Sequence, residues 1–442
     1  MWKPLPAEKT RTDTNFARVH LAPVRSAPNR HKTAPLVHIQ LIANTTMKKI
    51  LLLCTCLLIF SACSNEKKKA TAEKDTMTCR VEQTHIPPSD VMQLKSYYQS
   101  TSFQDKKDTL IMGYNYRTHA LDVTDCRTDS VSEIRLDREG DNGVQGRVTG
   151  IFIETPDSIW VYTEAMQAYL IDKEGLVLKK TSLHDSLGEG EEVLIDANHA
   201  ICTARLHVDT ARGTLLYGIR DRSTQPASFK VRELDIRQGN IVKDYPLQAS
   251  VADKDASGYA NMNGVNISFH DSLIVYNYPY ESHIYLLNRH DGTTRVVEAD
   301  SRYTANTAKR CTGKDYSEWE RHQVETPHFY DVMYLPDVYM YARLHLGGTD
   351  YDKSRTLGEL LASRPLYVSF FDMEFHKLGE QLLPEQRYSY FTGWCGMSDG
   401  IVLFVDNELD KSEFSEDLFF DKIIPVPSDA PFEGFEHKNP NK

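Results

Sequence analysis

His270-Asp271-Ser272-Leu273-Ile274-Val275-Tyr276-Asn277-Tyr278 opens the stretch that decides the fold. After Pro279-Tyr280-Glu281-Ser282 the chain resumes with His283-Ile284-Tyr285-Leu286-Leu287-Asn288, turns at Arg289-His290-Asp291-Gly292 and ends in Thr293 to Glu298. Asp-Gly between alternating apolar runs is a strong hairpin signal, because a tight turn needs a positive φ that Gly adopts freely. Val265-Asn266-Ile267-Ser268-Phe269 adds one more β-rich run upstream. The spacing predicts four short sequential strands with local connections.

Outward from this stretch the same theme recurs. It is visible from Asp108-Thr109-Leu110-Ile111, Asp157-Ser158-Ile159-Trp160, Gly213-Thr214-Leu215-Leu216, Asp337-Val338-Tyr339-Met340 and Asp399-Gly400-Ile401-Val402. Between positions 109, 158, 214, 272, 338 and 400 the steps are 49, 56, 58, 66 and 62 residues. Six copies of about four strands each match the period of propeller blades. The expected fold is therefore all-β, a six-bladed β-propeller over residues 77–430. Seven blades, one of them degenerate, is the alternative, since the long step after 272 and the loop from Arg302 to Val324 leave room. A parallel barrel would need a helix of 10–15 residues between strands. The best helical candidate, Asp315 to His322, is short and aromatic and reads as part of a loop. Met77 to Glu82 has no hairpin partner nearby, so it is expected to join the last blade beside Ile401–Val405 and Leu418–Ile424 and close the ring.

The 442 residues are 40% hydrophobic and 26% charged, a globular balance. Residues 1–62 carry a net +7, leaving −18 on the chain from Cys63 onward. So acidic a body is a poor partner for phosphate backbones, and no nucleic acid is expected. Of eight cysteines, five lie beyond Cys63: Cys79, Cys126, Cys202, Cys311 and Cys395. They are widely spaced and odd in number, which fits isolated thiols. A bridge from Cys79 to Cys395 is the alternative if the chain ends meet.

Met47-Lys48-Lys49, an apolar run from Ile50 to Phe60 and Ser61-Ala62-Cys63 form a short export signal. The apolar run is too short for a comfortable transmembrane helix, and small residues precede a thiol. Residues 1–46 are expected to be a non-native upstream extension, 47–62 the signal peptide, 63–76 a polar tether and 431–442 a disordered tail.

Phe60-Ser61-Ala62-Cys63 resembles the lipobox of bacterial lipoproteins, with Phe60 in place of the usual Leu. The resemblance implies lipidation of Cys63 and anchorage at the outer membrane. By the same resemblance Ser64 after the Cys implies the outer membrane, and Glu66 followed by three Lys rather than an acidic cluster favours the periplasmic side over the cell surface. Further along, His328-Phe329-Tyr330-Asp331, Tyr339-Met340-Tyr341-Ala342-Arg343, Phe371-Asp372-Met373-Glu374-Phe375 and Ser398-Asp399-Gly400-Ile401 are similar to the Bacteroidetes lipoprotein family of domain of unknown function 4221. More broadly the chain resembles TolB-like six-bladed propellers. The resemblance implies the fold and carries no activity with it.

HExxH, GxSxG and P-loop sequences are absent, and no metal or cofactor is implied. Asp122–Asp125 and Asp406–Asp410 lack the spacing of an EF-hand. Aromatic content offers the better hint, with 23 Tyr and 17 Phe. Tyr joins a flat apolar face to a polar tip and suits sugars, peptides and protein partners. Tyr278, His283, Tyr339, Tyr341, Arg343 and His345, near predicted strand ends, are the candidate ligand-binding residues. Tyr339, Tyr341 and Arg343 alternate and so are expected to share one face. The expected function is a noncatalytic binding or scaffold protein for an envelope glycan, peptide or protein. The alternative is an exported hydrolase or lyase acting on carbohydrate or cell-wall-derived material.

Overall fold

The computed structural model describes residues 75–429, apart from 106–108, 196–201, 253–257, 390–392 and 411–416. The upstream extension, the signal, Cys63 and the expected tail lie outside the described residues.

β1 (Met77–Ile86) opens the described chain. The first blade is β2 (Ser100–Gln104), β3 (Thr109–Asn115), β4 (Ala120–Asp125) and β5 (Ser130–Arg135), in that order. The second is β6 (Val148–Thr155), β7 (Ser158–Thr163), β8 (Gln167–Ile171) and β9 (Val177–Ser182). In the third, β10 (Glu191–Val193) and β11 (His207–Asp209) both pair with β12 (Thr214–Asp221), followed by β13 (Ser228–Asp235) and β14 (Ile241–Pro246). The fourth is β15 (Asn266–His270), β16 (Leu273–Asn277), β17 (Ile284–Asn288) and β18 (Thr294–Val297). The fifth is β19 (His328–Leu335), β20 (Met340–Leu346), β21 (Leu366–Phe371) and β22 (Lys377–Leu382). The sixth runs outward from β23 (Trp394–Gly396) through β24 (Ile401–Phe404) and β25 (Leu418–Pro427) to β1. All six are antiparallel, and the innermost strands of neighbouring blades pack against one another, except that Ala204 rather than β10 or β11 meets β15 at the third-to-fourth junction.

Local chemistry explains the hairpins. Asp271 turns β15 into β16 at φ +49°, and Gly292 at φ +74° closes the turn before β18. There the Gly292 N–H donates to Asn288 O at 2.9 Å, while Asp291 Oδ1 accepts from the Thr293 N–H and hydroxyl at 2.9 and 2.7 Å. The turn is thus held by side chains as well as by backbone.

Ring closure takes the form expected from the ends. β1 pairs with β25 over ten residues, from Met77 opposite Pro427 to Ile86 opposite Leu418. The first strand of the described chain therefore completes the last blade, and opening the ring would strip both strands of their partners. Six blades replace the seven-blade alternative. The span thought to leave room for another holds a helix, Tyr316–Glu325, whose first turn Asp315 caps by accepting from the Glu318 N–H at 2.8 Å. That helix corrects the reading of Asp315–His322 as loop.

The five cysteines beyond residue 75 are free thiols. Cys79 lies on the outermost strand of the sixth blade and Cys395 on the innermost. Three strand spacings separate them by about 14 Å, twice the reach of a disulfide.

Tyrosines fill the space between blades. Tyr276, Tyr278, Tyr280 and Tyr285 pack with Phe229 and Tyr245 in one cluster spanning the third and fourth blades. Their hydroxyls reach backbone at the rim: Tyr276 accepts from the Gln248 N–H at 2.8 Å and Tyr278 donates to Gln248 O at 2.8 Å. Apolar rings bury area while the hydroxyls of Tyr276, Tyr278 and Tyr285 keep partners.

Candidate binding site on the propeller axis

The inner edge of the third blade is broken, and that break builds the site. β10 pairs with one end of β12 (Glu191 with Asp221) and β11 with the other (Asp209 with Thr214). Thr203, Ala204 and Arg205, which precede β11, run against the fourth blade. The Ile267 N–H donates to Thr203 O at 2.7 Å, and the Arg205 N–H donates to Ile267 O at 3.0 Å, a parallel bridge. Asn266, fully buried, accepts from the Thr203 N–H at 2.7 Å and donates through Nδ2 to Phe329 O at 2.9 Å. From the second blade the Tyr162 hydroxyl donates to Ala204 O at 2.8 Å. Tyr162 lies so close over Gly150 that a Cβ there would fall 1.8 Å from its ring.

Across the axis β19 carries a bulge. Phe329 pairs with His345 and Val332 with Arg343, so Tyr330 and Asp331 together oppose Leu344. An extra residue re-aims the side chains of a strand. Asp331 is fully buried, and both of its oxygens are engaged: Oδ1 accepts from Trp394 Nε1 at 3.0 Å and Oδ2 from Arg205 Nε at 2.7 Å. The ion pair to Arg205 and the hydrogen bond from Trp394 tie the third, fifth and sixth blades together at Asp331. Burial of Tyr330, its neighbour in the bulge, raises its hydroxyl above the usual range.

Beside the ion pair lies a cavity of about 20 Å³, room for one or two water-sized groups. Gln99, Ser100, Thr149, Gly150, Thr203 and Arg205 line it, from the first, second and third blades. Arg205 Nη2 and Thr203 Oγ1 are fully buried nearby with no hydrogen bond among the described residues. Burial pushes the nearby Cys395 thiol up to about 12, with Arg205 and Ser100 pulling the other way, so it stays protonated. A second cavity of the same size, lined by Tyr330, Arg364, Tyr388, Trp394 and Asn407 among others, lies between the fifth and sixth blades. Among the described residues, no group of three or more His, Cys, Asp or Glu could hold a metal ion.

Of the six residues expected at a ligand surface, the structure places Tyr278, Tyr341, Arg343 and His345 inside the fold. The Tyr341 hydroxyl is 2.6 Å from His270 Nδ1 and its ring stacks on Phe375. Arg343 is sandwiched between Phe329 and Phe371 and donates to Ser282 O at 2.5 Å and Ala299 O at 2.8 Å. Burial pulls its guanidinium down to about 10. His345 stacks between Phe329 and Tyr367, with Nε2 3.4 Å from Glu380 Oε1, and burial holds it well below the usual imidazole range. Arg343 and His345 thus sit in the wall between the fourth and fifth blades, away from solvent. His283 is partly exposed, its Nδ1 3.2 Å from Glu281 Oε2. Tyr339 stands apart: it lies at φ +51° in the turn before β20 and is 69% exposed. The face shared on β20 is therefore Tyr341, Arg343 and His345, without Tyr339.

The axial group of Arg205, Asp331, Trp394, Ser100 and Thr203 was not among the expected site residues. Its one legible trace is Asp331, a charged residue inside an otherwise aromatic run, His328-Phe329-Tyr330-Asp331.

None of the helices described is long and apolar enough to cross a membrane. A Bacteroides vulgatus protein of the DUF4221 family superposes with a TM-score of 0.62 at 14% identity, covering 80% of this chain and all of that one. A Bacteroides fragilis protein proposed to be exported gives a TM-score of 0.47 at 11% identity, over 80% of this chain and 97% of its own. The first likeness shows the fold, and the second carries no argument. Among curated proteins none matches. The family model "Domain of unknown function (DUF4221)" matches residues 70–382, stopping short of the sixth blade's inner strands. The chain belongs to the DUF4221 family.

Proposed function

We propose that this chain is a noncatalytic binding or scaffold lipoprotein, anchored through Cys63 to the outer membrane on its periplasmic side. The observation that carries the binding half is the state of the axial carboxylate. Asp331 has one oxygen on Trp394 and the other on Arg205, so it holds a guanidinium in place and is not poised to move a proton. The cavity beside it is far smaller than a pocket that encloses a substrate, typically about 300 Å³ or more. It suits one group of a larger partner. Phe60-Ser61-Ala62-Cys63 and the polar run after it support the anchor. Glycans, peptides and envelope proteins are the partners the aromatic surface suits, Tyr339 among its exposed members.

Palmitate labelling and fractionation test the anchor. The wild-type chain is expected to take the label, to sediment with outer membranes and to resist protease added to intact cells, whereas Cys63→Ala is unlabelled and released. Label on Cys63→Ala, or digestion of the wild-type chain on intact cells, overturns the placement. For the binding role, a bound glycan or peptide is expected to be recovered unchanged after incubation. Its conversion would make the protein an enzyme.

A further inference from the structure

We infer that the exposed aromatic face of the helix Tyr316–Glu325 is a glycan-binding site, where Tyr316 and Trp319 stack a pyranose whose substituents are all equatorial. The inference rests on the binding role proposed above and gives that role a surface and a class of ligand.

Topology brings the parts of this surface together. In an antiparallel blade, the connection from the second strand to the third opens on the same face as the crossing to the next blade. Residues 298–327, between β18 and β19, and 347–365, between β20 and β21, therefore meet on one face. There the Thr349 N–H donates to Val324 O at 2.9 Å. Gly348 passes so close to the end of the helix that a Cβ would fall 2.2 Å from Glu325 O. Tyr351 is thereby set beside the helix, with its hydroxyl donating to Glu320 Oε2 at 3.0 Å.

Spacing along the helix supplies the rest. Tyr316, Trp319 and Glu320 lie three and four residues apart and so share a face. The rings of Tyr316 and Trp319 are within 27° of parallel, with centroids 5.5 Å apart, and Tyr316 is 68% exposed. Tyr316 also hydrogen-bonds Glu320, and the bonds to that carboxylate raise the hydroxyls of Tyr316 and Tyr351 above their usual range. One carboxylate thus fixes two rings, one from the helix and one from the loop. Arg321, half-exposed, holds its guanidinium 5.2 Å from the centre of the Tyr351 ring and 3.5 Å from Glu325 Oε1.

The chemistry of this surface selects its ligand. A fixed, exposed ring leaves apolar area for a flat partner to cover. A pyranose with equatorial substituents has flat C–H faces and a rim of hydroxyls. An ionised carboxylate has about four acceptor sites, and two tyrosines leave Glu320 room to accept from that rim while Arg321 donates to it. A protein partner fits less well, because Asp315, Glu318 and Glu320 crowd the rings and interface cores are depleted of charge. A nucleobase would stack too, but the same acids repel its phosphates.

Isothermal titration of the full chain in detergent tests the site with cellohexaose, chitohexaose and β-1,4-mannohexaose. The first two share the equatorial pattern and differ in the N-acetyl group, so the tighter binder identifies the source of the glycan. Mannohexaose carries an axial hydroxyl and should bind at least about fivefold more weakly than that one. Tyr316→Ala should weaken binding about tenfold, whereas Tyr316→Phe keeps the ring and should stay within about threefold of the parent. Binding of none of the three sugars, equal binding of mannohexaose, or full affinity in Tyr316→Ala overturns the inference. If Tyr339→Ala and not Tyr316→Ala weakens the sugar, this site falls while the binding role stands. If the sugar binds through Tyr316 and is cleaved, the site stands and the noncatalytic role falls.

Discussion

Replacing Asp331 with Ala removes the acceptor that joins three blades at the axis. The side chain is fully buried and holds Arg205 Nε at 2.7 Å and Trp394 Nε1 at 3.0 Å. Breaking a buried pair by deleting one partner costs about 3–5 kcal/mol. Arg205 is partly exposed and can turn toward water, which reduces its share, while Trp394 Nε1 loses this acceptor. The net expectation is a loss of about 3 kcal/mol. Asp331→Asn keeps the shape and one acceptor but faces a donor with a donor, so it should lose about 1–2 kcal/mol. Urea denaturation followed by fluorescence reads both values, with a midpoint shift of about 1 M for the Ala variant if the slope is about 3 kcal/mol/M. A double-mutant cycle with Arg205→Gln should show a coupling of about 2 kcal/mol. Asp331→Ala within about 0.5 kcal/mol of the parent, or strict additivity with Arg205→Gln, would refute the pillar.

Other outcomes follow from the same geometry. Burial raises the Glu191 carboxyl, but hydrogen bonds from Arg232, the Gly188 N–H and Lys230 outweigh it and hold the group at about 2. A depressed folded pKa stabilises above the unfolded value near 4.5 and is lost as pH falls toward 2, so Glu191→Gln should be destabilised at pH 7 and match the parent near pH 2 in thermal melts. Gly150→Ala would drive a Cβ into the Tyr162 ring, and urea titration should show a loss of about 2–3 kcal/mol. Cys395 and Cys311 are buried and should resist iodoacetamide until the protein is denatured, as read by peptide mass spectrometry.

The repeat was legible because tight turns leave marks that strands do not. Asp271-Ser272 and Asp291-Gly292 punctuate the fourth blade, and the strands fall within a residue or two of the expected limits. Where that punctuation fails, so does the reading. Val338 and Tyr339 are β-formers, so alternation extends the strand back through them, yet the chain turns there and Tyr339 adopts positive φ. β10 and β11 are three residues each, too short for a periodic signal, so the broken inner edge that carries Arg205 left no pattern. Arg343 was expected at a ligand because it alternates with Tyr339 and Tyr341 near a predicted strand end. Its partners, Ser282 O and Ala299 O, lie 61 and 44 residues away, and only the ring brings them to it. Asp331 was visible as part of a family-like stretch, but its role depends on a bulge that no local composition announces.

A crystal structure grown with a glycan or peptide that the full chain retains puts the functional account to its sharpest trial. It should show that ligand intact on the propeller, with the Arg205–Asp331 pair unbroken. A cleaved ligand, or Asp331 turned from Arg205 toward a reacting atom of the ligand, would contradict it.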